Sequence, residues 1–278
     1  MSEDTAIAEP ARQKLVELKK RLASLGSALI AFSGGVDSSF LLKVAFDTLG
    51  IEKTMAVTAR SSTYPKRELD EAVSIAKLIG ARHVVIESEE LEIEGFAQNP
   101  VNRCYFCKGE LFGKLSAMAR DQGLAMVLDG ANADDLKDHR PGAQAARESG
   151  VLSLLQETGF TKQDIRILSR NMGLPTWNKP SFACLASRFP YGTTITFEKL
   201  GMVERAEDFL RGLGFTQLRV RAHGDVARLE LAPQEASLAL QPQTAETIYA
   251  EFRKIGFKYV AVDIKGYRTG SMNETVRP

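Results

Sequence analysis

The sequence lacks any apolar run near the roughly 20 residues that a membrane-spanning helix requires. Its opening stretch, Met1 to Arg12, is polar and acidic and has no apolar core of a secretory signal, so no membrane association is expected and the cytoplasm is the expected compartment. An excess of charge is missing too: 36 Lys and Arg against 35 Asp and Glu leave a formal +1. No global field draws such a chain to nucleic acid, which is therefore not an expected partner, and any anion site must be local. Cysteine is scarce, three in 278 residues, an odd number that suits a disulfide framework poorly and fits metal or catalytic chemistry better. Internal repeats and low-complexity tracts are absent. What remains is 44% hydrophobic and 26% charged, enough to bury a sizeable core.

Short apolar runs alternate with helical patterns over the first two thirds. Residues 10–25 carry Leu15, Leu18, Leu22 and Leu25 at helical spacing. Strands are expected at 27–32, 53–59, 83–86 and 125–130, and helices from 40, at 65–78, at 108–120 and at 161–172. This alternation predicts an α/β fold with a doubly wound parallel sheet. Pro175, Pro180, Pro190 and Gly192 then punctuate an aperiodic connector. Beyond it come a helix near 197–212, strands at 217–221 and 226–231, a helix near 243–254 and a strand at 259–263, which predict a smaller C-terminal α+β domain. The expected division is 1–180 and 181–278.

The first strand runs into Ser33-Gly34-Gly35-Val36-Asp37-Ser38-Ser39. Glycines here allow close backbone approach and positive φ. The following helix adds N–H donors and a positive dipole end, which suits a pyrophosphate-sized anion. Ser33, Ser38 and Ser39 can donate hydroxyl hydrogen bonds. Asp37 cannot bind phosphate directly, and beside a polyphosphate it suits Mg²⁺. A plain Gly-Gly turn is the alternative. The loop has neither the Gly-Lys-Ser/Thr ending of a Walker A motif nor Gly-x-Gly-x-x-Gly, which argues against kinases, GTPases and dehydrogenases. A second segment, Asp129-Gly130-Ala131-Asn132-Ala133-Asp134-Asp135, follows a later strand and would share the sheet's carboxyl edge, with Gly130 and Asp134 or Asp135 near nucleotide or metal. It also reads as a solvated acidic turn.

Cys104-Tyr105-Phe106-Cys107 is a C-x-x-C unit flanked by Arg103 and Lys108, and Cys184 lies alone in the connector. Four readings stand: inert core thiols, a thioredoxin-like dithiol, a zinc site completed by His139 or an acid, or an iron–sulfur cluster on three thiolates with one open iron. Spacing alone does not choose among them.

The Ser33–Ser39 loop resembles the PP-loop of the N-type ATP pyrophosphatases (adenine nucleotide alpha hydrolase-like proteins). Further segments are similar to one PP-loop family, the LarE sulfur transferases: Asp138-His139-Arg140-Pro141-Gly142, Trp177-Asn178-Lys179, Ser187-Arg188-Phe189-Pro190-Tyr191-Gly192-Thr193, Arg219-Val220-Arg221-Ala222-His223 and Gly266-Tyr267-Arg268-Thr269-Gly270-Ser271-Met272-Asn273. The resemblance implies an ATP-dependent sulfurtransferase of nickel-pincer nucleotide biosynthesis, which matures the cofactor of lactate racemase. A carboxylate of pyridinium-3,5-biscarboxylic acid mononucleotide would be adenylated, and sulfur would displace AMP to give a thiocarboxylate. It also implies Asp37 as a catalytic residue. Cys104, Cys107 and Cys184 match the cysteines of members thought to hold a [4Fe–4S] cluster; the alternative is sacrificial sulfur transfer from Cys184, although the sacrificial position aligns with Ala183. Arg219 and Arg221 alternate on one strand and with Arg268 would clamp the substrate phosphate. Glu207 is a weaker candidate for contact with the reacting centre, His83 reads as structural, and His223 as either. Homo-oligomers are the family precedent. A tRNA thiolase or an ammonia-using PP-loop synthetase are the other readings; the first meets the near-neutral charge, and the second gives the cysteines no task.

Overall fold

The computed structural model describes residues 9–88, 90–137, 141–268, 271 and 274. They divide into two compact units. The first takes the described residues up to 88 with Asn102–Phe182, and the second takes Glu90–Val101 with the described residues from Ala183 onward.

The first unit is built on four parallel strands, β1 (Ala28–Ala31), β2 (Thr54–Arg60), β3 (Arg82–Glu87) and β4 (Met126–Leu128), in the order β3-β2-β1-β4. Seven helices accompany them among the described residues: α1 (Glu9–Leu25), α2 (Val36–Leu49), α3 (Lys66–Ile79), α4 (Arg103–Asp121), α5 (Pro141–Glu148), α6 (Leu154–Glu157) and α7 (Lys162–Asn171). β1 reads as continuous apolar sequence because both of its faces are covered. Ala28 and Ile30 join a core with Leu18, Leu22, Phe40, Leu41, Ile75 and Leu168, whereas Leu29 on the opposite face joins Met55, Val57, Phe112 and Leu115. The expected α/β class with a doubly wound parallel sheet is therefore the observed one. Strand order reverses between β1 and β4, and their carboxyl ends form the switch point where open α/β sheets bind ligands.

The second unit contains α8 (Phe197–Gly212), β5 (Leu218–His223), β6 (Val226–Leu231), α9 (Pro233–Ala239), α10 (Pro242–Ile255) and β7 (Tyr259–Val262). β5 and β6 are antiparallel, joined by a two-residue turn, and β7 returns parallel to β6 after α9 and α10. This is the smaller α+β sheet expected near the C-terminus. The segment 90–101 belongs to this unit, although the sequence reading leaves it in the N-terminal domain. Asn99 explains why. Fully buried, it donates through its amide to the Pro190 carbonyl at 2.8 Å and the Phe189 carbonyl at 3.3 Å, and its own carbonyl accepts from the Gly192 N–H. Ala97 likewise accepts from the Ile195 N–H. Such long-range pairing leaves no periodic signal.

Candidate functional site

Ser33–Ser39 leaves the carboxyl end of β1 and becomes the first turn of α2. Gly34 adopts φ +62°, and a Cβ there would lie 2.8 Å from both Cα and Cβ of Ala72 in α3. Only glycine lets α3 pack this closely against the loop. Gly35 is the N-cap of α2 and supplies no side-chain hydrogen bond, so the first-turn N–H groups have no cap of their own. The exposed Ser33 places its hydroxyl 3.1 Å from that of Ser38, which also accepts from the Ser33 N–H. Ser39 is fully buried, and its hydroxyl has no partner among the described residues.

Two side chains outside the motif hold the loop's carbonyls. The Tyr64 hydroxyl donates to the Ser33 carbonyl at 2.7 Å, and burial, together with the charges of Glu68 and Glu71, raises that phenol above its ordinary value. Lys179 Nζ lies 3.3 Å from the Gly34 carbonyl and 2.9 Å from a carboxylate oxygen of each of Glu68 and Glu71. The start of the proline-rich connector is thus tied to the loop and to α3. Arg166 strengthens the tie by donating to the Trp177 and Lys179 carbonyls.

Asp37 carries the loop's charge. Its Oδ2 lies 2.5 Å from Lys162 Nζ at the start of α7, while Oδ1 is buried without a partner among the described residues. Burial raises the Asp37 carboxyl above its ordinary value; Lys162 opposes the rise, the charge of Asp135 adds to it and Arg166 lowers it.

The turn after β4 reaches the loop, as its place on the sheet edge predicts. A Cβ on Gly130 would lie 3.1 Å from the Ser38 nitrogen and 3.4 Å from Asp37 Cβ, so the turn packs tightly against the loop. Asp134 accepts from the Lys162 backbone N–H at 2.8 Å, and Asp135 accepts from the Asn132 N–H at 3.0 Å. Asp129 accepts from the Ala131 N–H and the Ser153 hydroxyl. The turn is therefore ordered by its own acids rather than merely solvated.

Cys104 and Cys107 lie in the first two turns of α4, three residues apart on one helical face, the former exposed and the latter half-buried. α5 rests on this stretch at Gly142, where a Cβ would meet Lys108 Cγ at 2.9 Å and the Cys104 carbonyl at 3.4 Å. Cys184, half-buried in the second unit, precedes a short 3₁₀ turn and its carbonyl accepts from the Ser187 hydroxyl at 2.8 Å. No group of three or more His, Cys, Asp or Glu side chains is arranged to hold a metal ion among the described residues. His139, weighed as a zinc ligand, lies outside the described residues, as do Asp138, Arg140, Thr269, Gly270, Met272 and Asn273.

In the second unit Arg188 is fully buried and donates to both oxygens of Glu207, at 2.8 and 3.0 Å. Burial pushes the Glu207 carboxyl up, but the charge and hydrogen bonds of Arg188 and the charge of Arg211 outweigh it and hold the group at about 2. Glu207 also accepts from the Val220 N–H and from Arg211, so its oxygens are taken up by the protein itself. β5 brings Arg219 and Arg221 together. Arg219 stacks 5.1 Å from the Tyr267 ring centre, and burial, with Arg188 beside it, lowers its guanidinium to about 10. Arg221 is held by the Ser187 carbonyl at 2.7 Å and by Glu230 and Ser271 at 2.8 Å each. Arg268 pairs instead with Asp263 and Glu274. His83 is structural: the Thr58 hydroxyl donates to the Phe32 carbonyl and so receives the His83 Nε2 proton at 2.9 Å. His223 has its Nε2 buried without a partner among the described residues.

Tyr64 and Lys162 escape the sequence reading, and Lys179 enters it only within Trp177-Asn178-Lys179, with no role given. Lys162 leaves a physical signal: a cation opening a helix that Thr161 and Asp164 cap, where the dipole disfavours positive charge.

No family model matches the sequence. Individual relatives do. An uncharacterized protein from Synechocystis sp. is 44% identical over 95% of this chain and 98% of its own length. The pyridinium-3,5-bisthiocarboxylic acid mononucleotide synthase of Lactiplantibacillus plantarum is 39% identical over 95% of each. A glutamine-hydrolyzing GMP synthase from Aeropyrum pernix is 27% identical over 71% of this chain and 42% of its own length.

Proposed function

The chain belongs to the family of the pyridinium-3,5-bisthiocarboxylic acid mononucleotide synthase, the LarE family of PP-loop enzymes, and we propose that it adenylates a carboxylate of pyridinium-3,5-biscarboxylic acid mononucleotide and converts it to the thiocarboxylate. It is an ATP-dependent enzyme. One observation carries the proposal: behind a glycine turn stands a helix N-terminus with no side-chain cap among the described residues, and there Asp37 presents a buried oxygen that also has no partner among them.

In this reading the ATP phosphates lie on Ser33, Gly34, Gly35, Ser38 and Ser39, bordered by Gly130 and Asp134. The orphaned Asp37 Oδ1 fits a hard divalent cation, and Mg²⁺ there would neutralise phosphate charge. A substrate carboxylate oxygen attacks the α-phosphorus and the α–β bridging bond breaks, releasing pyrophosphate and leaving the acyl adenylate. A sulfur nucleophile then adds to the acyl carbon, and AMP departs with the carboxylate oxygen. Adenylation supplies the leaving group that a carboxylate lacks.

Arg219, Arg221 and Arg268 would hold the substrate phosphate, with Arg219, the guanidinium lowered by burial, gaining most from an incoming anion. Cys104, Cys107 and Cys184 are thiols outside any disulfide, a donor type that suits a [4Fe–4S] cluster, which would offer one iron to an external sulfide. The assembly would be a homo-oligomer and its compartment the cytoplasm; no helix among the described residues is long and apolar enough to cross a membrane.

The test is twofold. Anaerobically purified protein supplied with ATP and the biscarboxylate should form pyrophosphate and AMP together, and Asp37→Asn should slow this by about a hundredfold or more. Iron and acid-labile sulfide should accompany the protein. Without them, mass loss confined to Cys184 after one turnover would move the sulfur source to that residue.

A further inference from the structure

Lys162 is an odd residue to open a helix. The N-terminal end of a helix dipole repels cations, and α7 begins with this one. The surroundings are nevertheless built to place it. The Thr161 hydroxyl accepts from the Asp164 N–H, and the Asp164 carboxylate accepts from the Thr161 N–H, which fixes where α7 starts. The Lys162 N–H donates to Asp134, which ties that start to the turn pressed against the loop at Gly130. From there the side chain reaches across to Asp37, 2.5 Å away, at the N-terminal end of α2. Its ammonium thus sits where two helix ends disfavour positive charge, held by one carboxylate oxygen. The other oxygen of that carboxylate is buried and has no partner among the described residues.

We propose that Lys162 is a displaceable counter-cation of Asp37, which keeps the loop carboxylate neutralised until a divalent cation arrives with ATP and then turns its ammonium to the phosphates. The proposal rests on reading this loop as an ATP pyrophosphatase site. A divalent cation on Asp37 would stand within a few ångströms of Lys162 Nζ, and repulsion at that range is strong in a half-buried site. The flexible four-carbon stem lets Nζ leave while the capped backbone stays. The phosphate charge that comes with the metal receives it. Lys162 therefore penalises metal without nucleotide and rewards the two together. By linkage, metal and nucleotide must each tighten the other through this residue.

The experiment is titration of the full-length protein with Mn²⁺ alone, followed by electron paramagnetic resonance, and then with a non-hydrolysable ATP analogue with and without Mn²⁺. Lys162→Met should bind Mn²⁺ alone about tenfold more tightly than the unsubstituted protein and should lose most of the mutual tightening. Lys162→Arg, whose fork can grip Asp37 with two hydrogen bonds, should bind Mn²⁺ alone no better than the unsubstituted protein. Adding Asp37→Asn to Lys162→Met should abolish the gain. Equal or weaker Mn²⁺ binding by Lys162→Met, tighter binding by Lys162→Arg, or a gain that survives Asp37→Asn would each overturn the proposal. Should Lys162→Met fail to fold, Lys162→Gln, which also removes the charge, takes its place in each comparison with the same expected and overturning results. None of these measurements uses the carboxylate substrate, so failure of pyrophosphate release would refute the adenylation reading separately.

Discussion

Asp37 and Gly34 show how closely the loop's residues are specified. Gly34 combines φ +62° with a 2.8 Å approach to Ala72, so Gly34→Ala adds backbone strain to a steric clash. A loss of about 1–3 kcal/mol is expected, read by urea denaturation, with ATP binding impaired as α3 shifts from the loop. Gly130→Ala meets its neighbours at 3.1 Å and beyond, so a smaller stability loss is expected from the same measurement. The buried Arg188–Glu207 pair offers a pH test. The Glu207 carboxyl falls from an ordinary 4.5 to about 2 in the folded protein, so its contribution is present above pH 4.5 and disappears as pH falls toward 2. Unfolding free energy should decline across that window, and Glu207→Gln should flatten the decline. Arg188→Met removes the two-pronged partner of the buried Glu207 carboxylate, leaving it Arg211 and the Val220 N–H, and should cost about 3–5 kcal/mol, measured at neutral pH.

At the scale of elements, what was legible followed periodicity. The apolar run before Ser33 announces β1 because both faces are buried, and the C-terminal strands announce themselves by alternation. α5, α9 and the single turn α6 were not legible. Pro141-Gly142 and Pro233 look like breaks, yet proline is well placed in the first turn of a helix. α2 starts at Val36, earlier than its apolar residues indicate, because Asp37, Ser38 and Ser39 serve as both loop and helix. The partners of the loop were hidden for another reason: Tyr64 and Lys179 act on the carbonyls of Ser33 and Gly34 from far along the chain, and neither pattern nor spacing records that. Thr161 belongs to this scale. Thr161→Ala removes the hydroxyl that caps α7 and should cost about 1 kcal/mol in thermal unfolding, and it should loosen the Lys162–Asp37 contact, visible as tighter binding of Mn²⁺ alone.

For the whole molecule, the candidate residues fall in two units. The first holds Ser33–Ser39 with Asp37 and the C-x-x-C unit, and the second holds Cys184, Arg219 and Arg221. Replacing Cys104, Cys107 and Cys184 by serine should leave adenylation intact and abolish sulfur transfer, measured as AMP formed without thiocarboxylate. The central claim is that ATP activates a carboxylate. Its most direct test supplies substrate with heavy-oxygen carboxylates and analyses the nucleotide product by mass spectrometry. Label should appear in AMP, one oxygen for each thiocarboxylate formed, with pyrophosphate in equal amount. Unlabelled AMP, or ADP with phosphate, would contradict it.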